Sequence, residues 1–165
     1  MDGYRHRIMD GLLKKKLQAK GAILIEGPKW CGKTTTAEEM TVGKIMLART
    51  DVKEHLKRML EIDTDAALAG DTPMLIDEWQ TVPKLWDAVR YAVDQRREMG
   101  QFILTGSAVP DKKAEQEREH SGTGRFAWLT MRPMSLQESE ESTGSVSLGS
   151  LFKTGKAVGI AADID

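Results

Sequence analysis

The chain has 165 residues, with 25 acidic side chains against 24 basic ones and a formal net charge of −1. That length suits one domain able to bury most of its unfolded apolar surface, and the charge balance excludes a general pull toward nucleic acid or an anionic membrane. Cys31 is the one cysteine, so no internal disulfide can form; with no apolar run of membrane-spanning length and no secretory h-region, the expected location is the cytoplasm.

Residues 1–21 read as a lead-in helix closed by Gly21, because Ile8, Leu12, Leu13 and Leu17 fall near helical spacing with lysines opposite. The basic runs Arg5-His6-Arg7 and Lys14-Lys15-Lys16 read as solvated faces, with a partner patch as the alternative. Residues 22–26, AILIE, are apolar and branched, the pattern of a strand buried on both faces of a parallel sheet. A glycine loop follows, then a helix from near Gly32 to about Val42, with Gly43 to end it.

KIMLART, residues 44–50, reads as a second strand. Asp51 with Glu54 has the spacing of a capping box, opening a helix whose stripe is Val52, Leu56, Met59 and Leu60. Residues 63–73 read as a short helix and turn, and MLIDEW, residues 74–79, as a third strand. Pro83 suits a helix start, and Leu85, Trp86, Val89, Ala92 and Val93 continue that helix to Gly100. QFILTGSA is a fourth strand, residues 111–120 a charge-dense solvated segment, and GRFAWLTMRPM a fifth strand. Ser135 and Glu138 form another capping box and open a short last helix, after which Ser, Gly, Thr and Glu dominate. Strands alternating with helices imply a parallel α/β sheet with right-handed crossovers.

Gly27, Gly32, Lys33 and Thr34 satisfy G-x-x-x-x-G-K-[ST] between a strand and a helix. Glycines there let the backbone curl until several N–H groups face one anion, and the helix N-terminus adds its positive dipole end. The expected phosphate-binding residues are Gly27, Pro28, Lys29, Trp30, Cys31, Gly32, Lys33, Thr34 and Thr35. Lys33 would bridge the β- and γ-phosphates, and Thr34 would join a Mg²⁺ shell. Thr35 would either meet the α-phosphate or satisfy the first helical turn, the role expected of Thr36. Trp30 is expected to pack on a neighbouring loop, and Cys31 to be a small filler, with a reactive thiol as the alternative.

Holding phosphate is not hydrolysis, which needs an acid at another strand end. Asp77 and Glu78 close the apolar run Met74-Leu75-Ile76, and parallel strands present such ends on the edge where the glycine loop lies. Asp77 is expected in the metal shell and Glu78 beside the attacking water. Thr105, closing Phe102-Ile103-Leu104, would sense the γ-phosphate or orient that water, with Ser107 a weaker candidate. Arg125, between a glycine stretch and a strand, would reach a neighbouring subunit's nucleotide or form a surface ion pair, with Glu117 or Glu119 as partners.

Together LIEGPKWCGKTTTAE, LIDEWQTVPKLWDAVRYAVDQRREMGQFILTGSA and GTGRFAWLTMRPMSLQES resemble the prokaryotic AAA+ ATPases of the AAA_14 type over residues 4–141. The resemblance implies a P-loop NTPase three-layer sandwich with a five-stranded, mostly parallel sheet of the additional-strand type. It implies ATP and Mg²⁺ as ligands and a catalytic set of Glu78, Thr105 and Arg125. Such proteins usually continue into a helical lid and a DUF4143 region, so the expected organisation is a lead-in helix, a core over 22–142 and a loosely packed tail over 143–165, cut short of its relatives. The expected function is MgATP hydrolysis driving an unknown conformational or assembly process, with a homo-oligomer or an unidentified protein as partner. A non-catalytic nucleotide switch and a small metabolite kinase stay open, and nucleic acid has no motif to support it.

Overall fold

The computed structural model describes residues 3–107, 122, 124–143, 149, 152 and 153. The chain divides into two compact units, Met1–Pro133 and Met134–Asp165. In the first, α1 (Ile8–Leu17), β1 (Ala22–Gly27) and α2 (Lys33–Glu38) are followed by β2 (Gly43–Met46), α3 (Thr50–Ile62) and α4 (Thr64–Ala67). Then come β3 (Met74–Asp77), a 3₁₀ turn at Trp79–Thr81, α5 (Leu85–Arg96), β4 (Phe102–Ser107) and β5 (Phe126–Thr130).

The five strands form one sheet in the order β2-β3-β4-β1-β5, and every pairing is parallel. The expected α/β architecture holds: β4 lies between the strand of the glycine loop and the strand of the acid pair. Because β1, β3 and β4 all run the same way, Gly27, Asp77 and Ser107 finish on one edge. Register sets Thr105 level with Ile25 on one side and Asp77 on the other.

Alternation along β1 divides the core. Ile23 and Ile25 pack with Leu13, Cys31, Ala37, Leu75, Ile103 and Leu129, the side of α1 and α2. Leu24 packs with Leu56, Ile76, Trp86, Val89 and Leu104, the side of α3 and α5. Both strand faces are dry, which is why β1 reads as a continuous apolar run. Trp86 stacks on Phe126 with centroids 4.0 Å apart and ring planes 10° from parallel, tying α5 to the start of β5.

Local boundaries differ from expectation for physical reasons. The inward stripe of α1 is Met9, Leu13 and Leu17, whereas Ile8 and Leu12 face outward. The second helix stops at Glu38, after three consecutive β-branched threonines of modest helix propensity, and Gly43 opens β2 instead of closing a helix. Asp51 is not an N-cap: α3 begins at Thr50, Asp51 pairs with Arg49 at 2.7 Å, and Glu54 pairs with Lys57 at 2.9 Å. Asp63 does cap α4, accepting from the backbone N–H groups of Asp65 and Ala66 at 3.0 Å each.

In the second unit, Ser135 N–H donates to Glu138 Oε2 at 2.8 Å and Glu138 N–H donates to Ser135 Oγ at 3.3 Å. The capping box therefore forms, yet residues 136–140 make turns and no helix, because Glu140 enters the left-handed region at φ 66°. Residues 111–120 and most of 144–165 lie outside the described residues.

Candidate functional site

The site is built where β1, β3 and β4 end. Gly27 leaves β1 against the chain that follows β5: a Cβ on it would sit 2.3 Å from the Met131 carbonyl oxygen. Only glycine fits so close an approach. Gly32 ends the loop in the left-handed region at φ 94°, where it starts α2. Lys33, buried in that first turn, donates from Nζ to the carbonyls of Gly27 at 3.0 Å and Pro28 at 2.8 Å. Its ammonium thus stands across the mouth of the loop.

Asp77 joins three elements. It is 6% exposed, and its Oδ1 accepts from Thr34 Oγ1 of α2 at 2.7 Å and from Thr105 Oγ1 of β4 at 2.5 Å. The glycine loop, the acid strand and the strand between them therefore converge on one carboxylate oxygen.

Glu78 leaves the strand with φ 57°, so its side chain does not continue the pleat of β3. It lines a cleft of about 390 Å³ together with Lys29, Trp30, Gly32, Lys33, Thr34 and Thr35. Gln80, on the 3₁₀ turn, donates from Nε2 to Glu78 Oε2 at 2.5 Å. One of the two expected acids, Glu78, and most of the expected loop thus share one cleft, while Asp77 reaches that loop through its bond to Thr34. Ser107 ends β4 level with Gly27.

Other expected residues fall elsewhere. Trp30 does not pack on a neighbouring loop: it is 99% exposed, with φ 67°. Cys31 is buried among the core side chains beneath the loop, as a small filler would be. Thr36 is buried and bonds to Tyr4 at 3.1 Å, a structural contact. Arg125 is not brought to this chain's own loop. It precedes β5 at the amino-terminal edge of the sheet, roughly 17 Å away by the length of a six-residue strand. There its Nε donates to Asp94 Oδ1 at 2.7 Å, and the ion pair holds the Asp94 carboxyl below the ordinary range. The partners considered from sequence, Glu117 and Glu119, lie outside the described residues.

Three participants escaped sequence reading. Arg7, taken as solvated, is buried and donates from Nη1 to the Cys31 carbonyl at 2.7 Å and from Nη2 to the Arg132 carbonyl at 2.9 Å. Tyr4 bonds to Asp10 at 2.8 Å and to Thr36. Gln80 holds Glu78. The signal for Arg7 lay in Asp10, whose Oδ2 accepts the Arg7 backbone N–H at 2.9 Å and so marks Arg7 as the helix cap. Gln80 had a weaker signal, a side-chain amide two residues beyond the acid pair.

A family model described as an AAA domain, AAA_14, matches residues 19–140. Comparison with curated proteins gives no match. Among the described residues, no helix is long and apolar enough to cross a membrane.

Proposed function

The chain belongs to the AAA_14 family of AAA domains and is a nucleotide-binding, ATPase-like module; from that premise we propose that it hydrolyses MgATP to ADP and phosphate. The observation that carries this reading is Asp77 Oδ1, which accepts at once from the loop's Thr34 and the intervening strand's Thr105. A change at the phosphates felt by Thr34 is thereby passed to Thr105 through one shared acceptor.

The roles follow from chemistry. Backbone N–H groups between Gly27 and Thr34, other than Pro28, which has none, cradle the phosphates, with Thr35 at the edge of the cleft. Lys33 exchanges its carbonyl partners for phosphate oxygens. Glu78 orients and polarises a water in line with the terminal phosphoryl. Thr34 and Asp77 would hold Mg²⁺, and hard oxygen donors suit that ion, which keeps waters and phosphate oxygens for the rest of its shell. Among the described residues no group of three or more His, Cys, Asp or Glu gathers as a metal cage, which fits an ion carried in with the nucleotide. When bound, the ion neutralises charge building on the phosphates. Arg125, at the far edge, would serve the nucleotide of a second copy, and a homo-oligomer is part of this proposal.

Glu78→Gln tests the reading. ATP binding should persist while phosphate release falls about a hundredfold or more. Equal phosphate release by both proteins would remove Glu78 from the chemistry. Labelled phosphate on a small acceptor instead of in solution would replace hydrolysis by kinase activity. The hydrogen bond between Gln80 and Glu78 favours one second reading: with its acid engaged, the module holds nucleotide as a switch and turns over slowly. Tight ATP binding without phosphate release by the intact chain would establish it.

A further inference from the structure

The buried Arg7 has no part in the chemistry above, yet it touches the glycine loop directly. Its Nη1 lies 2.7 Å from the Cys31 carbonyl, and its Nη2 lies 2.9 Å from the Arg132 carbonyl beyond β5. A guanidinium is planar, permanently charged and rigidly forked, so it fixes the direction of both acceptors. We propose that Arg7 is a positioning residue for the phosphate loop: it holds the Cys31–Gly32 peptide in the orientation that turns an N–H toward the anion. This rests on the reading that the loop holds the phosphates.

The step from contact to function is peptide geometry. The Cys31 C=O and the Gly32 N–H belong to one planar trans unit and point in opposite directions. A carbonyl anchored toward Arg7 therefore aims the Gly32 N–H away from Arg7, outward from the core beneath the loop. Without the anchor, that peptide could rotate and present a carbonyl oxygen, which repels phosphate. Gly32 sits close against the same group, since a Cβ on it would lie 3.0 Å from Nη1. The loop, its last glycine and Arg7 thus fit as one unit.

Arg7 is itself held from two sides. Its N–H caps onto Asp10 Oδ2 at 2.9 Å, and Asp10 Oδ1 accepts from Tyr4, which also bonds to Thr36 of α2. The segment before α1 therefore grips the loop at Cys31 and the following helix at Thr36. Through the Arg132 carbonyl, the same guanidinium ties this grip to the chain leaving β5.

The test compares Arg7→Met, Arg7→Lys and the parent chain. Two readouts are used: ATP affinity, and the ¹⁹F signal of Trp30 in protein labelled with 5-fluorotryptophan, assigned with Trp30→Phe. Trp30 lies in the loop and is fully outside the core, so its signal reports loop shape without nucleotide. Arg7→Met should weaken ATP about tenfold or more and shift or broaden the Trp30 signal. Arg7→Lys, which keeps the charge but loses the fork, should fall between. Added guanidinium should restore affinity and signal in Arg7→Met, whereas equal urea or potassium should not. That rescue separates positioning from a general loss of fold, and an unfolded Arg7→Met leaves Arg7→Lys to decide. Unchanged affinity and an unchanged Trp30 signal in a folded variant would overturn the proposal. If the parent chain binds no ATP while Arg7→Met still alters the Trp30 signal, the phosphate reading fails and the brace stands.

Discussion

Gln80 holds Glu78 through a 2.5 Å hydrogen bond from its amide Nε2 to the carboxylate Oε2. A carboxylate can only accept, so the amide oxygen of Gln80 must face the other way. That oxygen is buried without a hydrogen-bond partner, and a Cβ on Gly106 would lie 2.8 Å from it. The end of β4 therefore meets both acids: Thr105 donates to Asp77, and Gly106 leaves the space in which Gln80 can reach Glu78.

On the hydrolase reading the bond orients the water-activating acid and not the nucleotide, so Gln80→Leu should lower kcat about tenfold with little change in KM for ATP; a raised kcat would instead favour the switch reading, in which the bond restrains that acid. Gly106→Ala should act similarly by displacing the Gln80 amide. The double variant should be little worse than either single one, since both changes break the same link. Independent, multiplying losses measured in steady-state assays would show that Gly106 matters for another reason.

Asp77 separates a structural role from a metal role. Asp77→Ala leaves the buried Thr105 and the half-buried Thr34 hydroxyls without their acceptor, and should cost about 1–3 kcal/mol in chemical denaturation. Asp77→Asn keeps an acceptor oxygen for those hydroxyls but loses the charge. It should therefore stay close to the parent in stability while its ATP affinity no longer responds to added Mg²⁺ or to chelator. A Mg²⁺ response retained by Asp77→Asn would move the metal role to another residue.

Tyr4 gives a pH prediction. Burial, together with the neighbouring Asp10, pushes its phenol up to about 12 from an ordinary value of 10.0, against a lowering contribution from Thr36. The folded chain thus holds this proton more tightly than the unfolded chain does. The stabilisation is complete below about pH 10 and is lost as pH rises toward 12. In a Tyr91→Phe background, phenolate absorbance should report Tyr4 alone, rising near pH 12 in folded protein. A rise near 10 while the protein remains folded would contradict the packing of Tyr4 against Asp10 and Thr36.

The sheet was legible because its three central strands are dry on both faces: AILI, MLI and FIL each read as buried runs, and each is followed by the residue types that a phosphate site needs. Asp77 could be placed because the end of a parallel strand is a topological address. Arg7 was hard to read, since a short basic run most often faces water; Asp10 marks it as a helix cap, but not as a guanidinium that will meet a carbonyl 24 positions later. Trp30 misled in the opposite sense. An indole is expected to find cover, but its left-handed backbone turns it out of the loop. Where Gln80 would reach depended on Glu78 leaving the pleat of β3, a backbone choice that side-chain patterns do not record.

Arg125 lies one strand length from its own loop and is bonded to Asp94 at 2.7 Å. The pair is open to solvent and screened by it, so breaking it should leave stability nearly unchanged. Arg125→Ala should then fold like the parent in thermal unfolding. If Arg125 completes a neighbouring copy's site, Arg125→Ala should have low turnover alone, and Glu78→Gln should have low turnover alone. Mixed, the two should recover activity, because one protein supplies the arginine and the other the acid. The recovery should grow with total concentration, as any shared site requires. Full activity of Arg125→Ala by itself would leave this arginine a structural role, the ion pair with Asp94 among its contacts.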